Sequence, residues 1–421
     1  MARATFKERR DQVSLYLLFG LFAILPLTVV FGHRGIAPWL LLASIPAFLR
    51  GDFWISTFGA VFDRLEPQKP FFAALLSIVF FCMWISFSGF WSPRGMPSLG
   101  LWVLAPLLVG GSVCWFSVHL NRAWSYRLSV AFAGAVVLGM GVLAFEGVTD
   151  GALRAILPPD DPTPERAKDS VALGRGVTAL APAIFPAGII VAGIRNRYAA
   201  LGVLVLGIVA AVSNDVMANT VALLTGLLAG TAAFKVPRAT IFGLVGVFLA
   251  ALILAPLARF LPVESIFAAG EGILPPSALH RVAVWQSVAE RISEGLPFGF
   301  GADYARSWKD IAPMIDVPGA GAPLSVMPTH PHNLFLQIWL ELGLPGVAAF
   351  AGFLFWGARA FSAANLQKPI ISAAAGAFAA IFVSIMIEGS LWQVWRFAAM
   401  ALAAMGVGLA HSLHTNWTRQ L

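Results

Sequence analysis

The chain has 421 residues, 58% of them hydrophobic and only 12% charged, with a mean hydropathy of +0.80. Soluble domains run at roughly 45–50% apolar and ~25% charged, so a water-soluble globule, a disordered chain and a nucleic-acid factor are excluded. Cys82 and Cys114 both lie inside apolar runs and suggest neither a disulfide framework nor a zinc site. The net charge of +7 then has to be explained by where the bases sit.

A membrane span needs about 20 apolar residues. Apolar runs predict about twelve spans, near 14–32, 36–49, 71–90, 99–120, 128–147, 175–194, 199–213, 216–234, 239–261, 333–356, 370–388 and 391–411. The predicted fold class is an all-α polytopic membrane protein with one large periplasmic loop containing short helices. The predicted division is 1–261 with about nine spans, a loop over 262–331, and 332–421 with about three spans. With a cytoplasmic N-terminus, the cytoplasmic segments hold 16 of the 28 Lys and Arg beside five acids, and the remainder carries 12 bases against 16 acids. That asymmetry follows the positive-inside rule and predicts both termini in the cytoplasm. The basic charge is then topology and calls for no nucleic acid.

The first apolar run is long, and no small-residue cleavage pattern follows Pro26, so no cleavable signal peptide is expected. Two outer loops break the hydrophobic pattern. The one near 148–174 is acidic and Pro-rich, and its Asp160-Asp161 pair is expected to be solvated. The one over 262–331 is far longer than an ordinary connection, which points to function. Within it, Ser277 is a candidate N-cap for a helix in which 282, 285, 288, 289 and 292 form an apolar stripe, stopped by Gly295 and Pro297. Arg281 and Trp285, four apart, share a face. A guanidinium there either snorkels to the interface or meets a buried anion.

The segment THPHNLFLQIWLELGLPG, 329–346, opens another helix, with Pro331 suited to its first turn and His332 close to its positive end. Asn333, Gln337 and Glu341 follow as a polar stripe, and polar groups entering a membrane tend to face a cavity or a partner helix. A helix N-terminus disfavours imidazolium, so a neutral His332 able to accept a proton is expected, as is a simple helix-capping role. His330-Pro331-His332 offers no third metal ligand, so neither a metal nor any other cofactor is called for.

Together these residues resemble the bacterial O-antigen ligase and O-antigen polymerase superfamily. The resemblance is carried by Arg281 and Trp285, then GLPFGFGAD with Gly299 and Gly301, then His332, Asn333, Leu336, Gln337, Glu341, Gly343 and Gly346, about a sixth of the chain. It implies a metal-independent, inverting glycosyltransferase of the bacterial inner membrane with its active site facing the periplasm. Its donor would be a glycan on undecaprenyl diphosphate, and its acceptor a lipid A–core sugar for a ligase or another repeat unit for a polymerase. His332 takes the place of the proposed base and Arg281 that of a diphosphate-binding arginine; Trp285, Asn333, Gln337 and Glu341 are candidate substrate contacts.

One departure stands out. Members often carry a Ser-x-Ser-Arg type segment at the outer end of a middle helix, where this chain reads Ala211-Val212-Ser213-Asn214-Asp215. Arg175, Arg259 and Arg396, each near an outer span end, are candidates for the missing arginine, with interface anchoring as the alternative for each. Asp215 is a candidate to orient a sugar. A polysaccharide-lipid transporter is the competing class, disfavoured because the two halves show no repeat. Ligase is preferred to polymerase.

Overall fold

A computed structural model describes residues 6–31, 33–50, 53, 69–156 and 166–418. Asp160-Asp161, and Arg3, Arg64 and Arg419 from the charge count, lie outside the described residues. In chain order the helices are α1 (Phe6–Phe31), α2 (Ile36–Phe48), α3 (Pro70–Ser88), α4 (Leu99–Val118), α5 (Arg122–Val148), α6 (Arg166–Leu180), α7 (Ile184–Ile194), α8 (Arg197–Ser213), α9 (Met217–Lys235) and α10 (Pro237–Leu254). The long loop contributes α11 (Val263–Gly270), α12 (Pro276–Gly295) and the single turn α13 (Tyr304–Trp308). Its two-residue strands, β1 (Met314–Ile315) and β2 (Leu324–Ser325), pair antiparallel. The chain then returns through α14 (Leu334–Ala363), α15 (Lys368–Ile387) and α16 (Val394–Thr418).

Among the described residues, ten helices are long and apolar enough to cross a membrane, α6 and α7 joining as one through a tight turn at Ala181–Ala183. Two of the twelve predicted spans are short. At 1.5 Å per residue, α2 with 13 residues reaches about 20 Å, against a hydrocarbon core of about 30 Å. Helix α8 has 17 residues. Proline explains part of this: Pro38 and Pro46 lie in α2, and Pro106 interrupts its neighbour α4. Helix starts are set by side chains that accept orphan amides. Asn121 accepts from Trp124 N at 3.0 Å for α5, and Asn196 from Tyr198 N and Ala199 N at 3.0 and 2.9 Å for α8.

Helix α12 begins at Pro276 with Pro275 as its cap, two residues ahead of the predicted Ser277, and ends at Gly295 as predicted. Its buried face is Leu279, Ala283, Val284, Val288, Ala289 and Ile292, rotated slightly from the predicted stripe, so that Val282 and Trp285 are half-buried. This face meets Tyr304, Trp308, Leu336 and Leu340, which seats the long loop on the first two turns of α14.

Helix α14 is broken at Gly343, whose φ of 59° and ψ of −157° lie outside helical space. Pro345 has no N–H, so the Glu341 carbonyl loses its helical donor. The loop replaces it. Gly301 N donates to Glu341 O at 2.9 Å, Phe300 N to Leu340 O at 2.9 Å, and the Trp84 indole to Leu342 O at 2.8 Å. Leu344 N in turn donates to Pro297 O at 2.8 Å. A Cβ on Gly299 would stand 2.6 Å from the Glu341 carbonyl, so only glycine lets the strap approach this closely. The GLPFGFGAD and ELGLPG segments are thus the two halves of one backbone joint.

Candidate active site

The α14 joint, the α12 face and the α15–α16 turn converge ahead of Leu334. Asn333 caps α14, its side-chain oxygen accepting from Phe335 N at 3.0 Å and Leu336 N at 3.1 Å. The helix therefore begins after His332, not at Pro331 as predicted. His332 sits in a left-handed turn with φ of 54°, a conformation uncommon for residues other than glycine. Its backbone N–H donates to His330 Nδ1 at 3.2 Å, and Trp285 Nε1 donates to Pro331 O at 3.2 Å. The turn is held from two sides.

His332 Nδ1 is buried and has no hydrogen-bond partner in the chain. Burial, reinforced by His330, Arg281, His280 and Arg396, pulls its imidazole from the ordinary 6.5 down to about 3. Desolvation is the larger cause, and it favours the neutral ring. His330, with its ring centroid 4.4 Å from that of His332, is held down to about 4 by burial, then by Arg396, Arg175, Arg306 and Arg281. His330 Nδ1 lies 3.2 Å from the His332 amide and its Nε2 3.3 Å from the Gln393 side-chain nitrogen, and a neutral imidazole accepts at one of the two.

Arg281 and Arg396 are brought together by one carboxylate. Glu388 places Oε1 3.6 Å from Arg281 Nη2 and Oε2 3.6 Å from Arg396 Nη2. Arg396 is buried and also donates to Gln393, Ser384 and the Glu388 carbonyl, with its guanidinium 4.6 Å from the Trp395 ring centre. Arg281 thus neither snorkels nor stands alone; it meets an anion of the protein. Arg175 is exposed beside them, close enough to act on His330 and on His33. His33 packs edge-on against Trp395 at 4.9 Å, and burial with Arg175, Arg34 and Arg396 lowers it to about 4. A further pair, Arg94 and Arg306, flanks buried Asp303 at 3.6 and 3.0 Å.

The polar stripe has a different part. Glu341 is fully buried, and its oxygens accept from Asp303 N at 3.0 Å, Ala305 N at 3.3 Å, Gln337 Nε2 at 3.1 Å and Trp392 Nε1 at 3.1 Å. Gln337 Oε1 accepts from Leu391 N at 3.0 Å. Gln337 and Glu341 therefore join α14 to the loop and to the α15–α16 turn, while Asn333 caps α14 itself. The side-chain acceptor oxygens of all three are engaged within the chain. Trp285 is likewise committed to the Pro331 carbonyl.

Two remaining candidates separate from the cluster. Arg259 is exposed, with its guanidinium 5.5 Å from the ring centre of its neighbour Phe260. Asp215 is exposed in a left-handed turn between α8 and α9, while the adjacent Asn214 and Asn219 bond to main-chain carbonyls of Leu143 and Gly174. Sequence reasoning missed Glu388, His33, Asp303, Arg94 and Arg306. Their available signal was charge at the outer ends of spans, in HRG (33–35), GADYAR (301–306) and the acid eight residues ahead of Arg396.

Fold and site together define a polytopic helical membrane protein with a histidine-centred arginine cluster at one end of its bundle. Residues 171–351 match the family model described as O-Antigen ligase. The chain is also similar to two proteins named "Putative polysaccharide ligase". It is 35% identical over 127 residues to one from Rickettsia bellii, covering 30% of each chain. It is 34% identical over 122 residues to one from Rickettsia conorii, covering 28% of this chain and 29% of the relative. The matched stretch thus spans less than a third of these relatives.

Proposed function

We propose that this protein is a glycan ligase that moves a glycan from undecaprenyl diphosphate to a lipid A–core sugar hydroxyl. The reaction takes place at the periplasmic face of the bacterial inner membrane, with both termini in the cytoplasm. The observation that carries the reading is a neutral histidine, His332, whose buried ring nitrogen has no partner in the chain and which lies beside Arg281 and Arg396. In the proposed step the acceptor oxygen attacks the anomeric carbon and the carbon–oxygen bond to the diphosphate breaks. Its hydroxyl proton passes to His332, and the leaving diphosphate takes the bonding electrons. Attack opposite the leaving group inverts the anomeric centre.

The chemistry needs both parts at once. Charge developing on the leaving diphosphate is met by planar guanidinium groups, which bond phosphate oxygens in pairs. Arg281, Arg396 and Arg175 are assigned to it, and Arg175 or Arg396 replaces the arginine missing from the 211–215 segment. A ring held near 3 is a weak base in the free protein. A bound diphosphate offsets the neighbouring positive charge and so raises the proton affinity of His332 when transfer requires it. For the lipid part of the donor, a cavity of about 550 Å³ lies between α2, α4 and α16. It is lined by apolar side chains including Ala37, Leu41, Trp102 and Val394, next in sequence to the His33 and Arg396 regions. The short α2 leaves room there.

A test uses purified protein with lipid-linked glycan and lipid A–core. Glycan transfer with release of undecaprenyl diphosphate is expected, and movement of lipid without covalent change would make the protein a transporter. A deletion strain separates ligase from polymerase. Loss of long-chain material from lipid A–core with accumulation of lipid-linked polymer is expected, whereas accumulation of single lipid-linked repeats would mark a polymerase.

A further inference from the structure

The opposite end of the bundle carries a second feature, independent of the proposed reaction. Two apolar grooves lie on either side of the α9–α10 turn and the first turns of α15. One, of about 360 Å³, is formed by α7, α8, α9 and α15 and has Arg197 and Lys235 in its wall. The other, of about 460 Å³, is formed by the start of α10 and the connection from α14 into α15 and has Arg238 and Lys368 in its wall. Both volumes fall within the roughly 300–1,000 Å³ of ligand sites.

No carboxylate lines either groove. All four bases are exposed, and among the described residues none of them pairs with an acid; Arg197 lies over its neighbour Tyr198, 5.1 Å from the ring centre. Topology alone accounts for bases at this end but not for their placement in pairs at apolar grooves. Two other bases at the same end line neither groove. Arg127 lies over Trp124 at 5.1 Å and Arg359 over Trp356 at 6.0 Å. An amphiphile with an anionic head and apolar chains matches both parts of each groove, and basic pockets between membrane helices are known recognition sites for anionic lipid head groups.

We propose that each groove binds one anionic phospholipid, its phosphate between the two bases and its acyl chain along the apolar wall. Native mass spectrometry of the full chain in detergent, titrated with phosphatidylglycerol, tests this. Two retained lipids are expected for the wild type, with no comparable retention of phosphatidylcholine. Arg197→Gln/Lys235→Gln and Arg238→Gln/Lys368→Gln are each expected to lose one. A base near an anionic lipid surface is worth about fivefold in affinity, so loss of a pair weakens that site roughly 30-fold. Ala200→Trp fills the first groove while keeping its charges, and is also expected to lose one lipid. Arg127→Gln/Arg359→Gln keeps both. Equal retention in the wild type and the paired variants would overturn the proposal. So would equal retention of phosphatidylcholine, or equal loss in Arg127→Gln/Arg359→Gln. Should a paired variant fail to fold, its single substitutions and Ala200→Trp give the same readout.

Discussion

The polar stripe of α14 and the turn just before it are adjacent in sequence and opposite in character. From Asn333 to Glu341 the polar side chains hold α14, α13 and the α15–α16 turn in one frame, and Glu341 alone receives four hydrogen bonds. From His330 to His332 the chain bends through a left-handed residue, arginines gather around two neutral rings, and one ring nitrogen is left without a partner. A frame that is satisfied from within has little capacity left for a substrate. A cluster rich in like charge and short of partners does, because an anionic ligand supplies what the chain withholds.

The largest expected effect breaks the frame. Glu341→Ala orphans three buried donors and the half-buried Trp392 indole, at about 1–3 kcal/mol for each buried one, a sum comparable with the ~5–15 kcal/mol that stabilises a typical domain. The variant should be nearly absent from membranes, as measured by in-cell abundance and by a melting curve of any purified protein. A well-folded Glu341→Ala that has lost only glycan transfer would return this residue to the reacting centre. His332→Ala should do the reverse: normal abundance and melting, with transfer reduced by the ~10²–10⁴-fold that general-base catalysis contributes. Unchanged transfer would reduce the histidine to a turn residue.

Arg281 offers a sharper cut through the comparison, because it belongs to the cluster but is held by Glu388. Arg281→Lys keeps the charge and loses the planar fork, and a lost donor at a reacting centre costs about 10²–10³ in rate. Turnover should fall by that order at unchanged melting temperature, with Arg259→Ala close to wild type. An Arg259→Ala defect as large as that of Arg281→Lys would undo the division between clustered and interfacial arginines.

Sequence pattern located the frame better than it assigned its role. Arg281, Trp285, His332 and the stripe all stand at one place in space, and the long loop does carry the predicted helix. Spacing shows which residues share a helix face, but it does not show what stands opposite that face. The partners of Gln337 and Glu341 within the chain, the amides of Asp303, Ala305 and Leu391, belong to segments 36 to 54 residues away. Glu388 was invisible for the same reason: its meaning lies in two arginines from different helices. The helix break at Gly343 is not legible in the helix's own residues, because its Leu340 and Glu341 carbonyls are satisfied by the strap and its Leu342 carbonyl by the Trp84 indole. Arg175 and Arg396 were legible as charges at span ends, a position that anchoring and ligand binding share.

Trp285 gives a smaller effect that still divides positioning from contact. Trp285→Phe removes the indole N–H that holds the Pro331 carbonyl and keeps much of the apolar surface. One such hydrogen bond is worth about 0.5–1.5 kcal/mol. Transfer should drop less than about tenfold, through kcat with KM for the donor little changed. A dominant rise in KM would instead make the ring a donor contact. His330→Ala should exceed it, since His330 accepts the His332 amide.

The smallest effects lie in pH, where the two regions differ in kind, since only the cluster presents histidines to titrate. His332 and His330 are held at about 3 and about 4, below the ordinary 6.5. Between those values and 6.5 the unfolded chain binds more protons than the folded one. Stability therefore rises with pH through that window, is fully present above it, and is lost as pH falls. The wild-type melting temperature should drop from pH 7 to pH 5, and His332→Gln should drop less. For catalysis, kcat/KM reports the free enzyme and kcat the donor complex. The acid limb of kcat/KM should lie well below pH 5, and that of kcat at higher pH, because the bound diphosphate favours the imidazolium. Coincident limbs near 6.5 would mean that neither burial nor the arginines govern His332. A kcat limb that survives His332→Ala would assign the proton to another group.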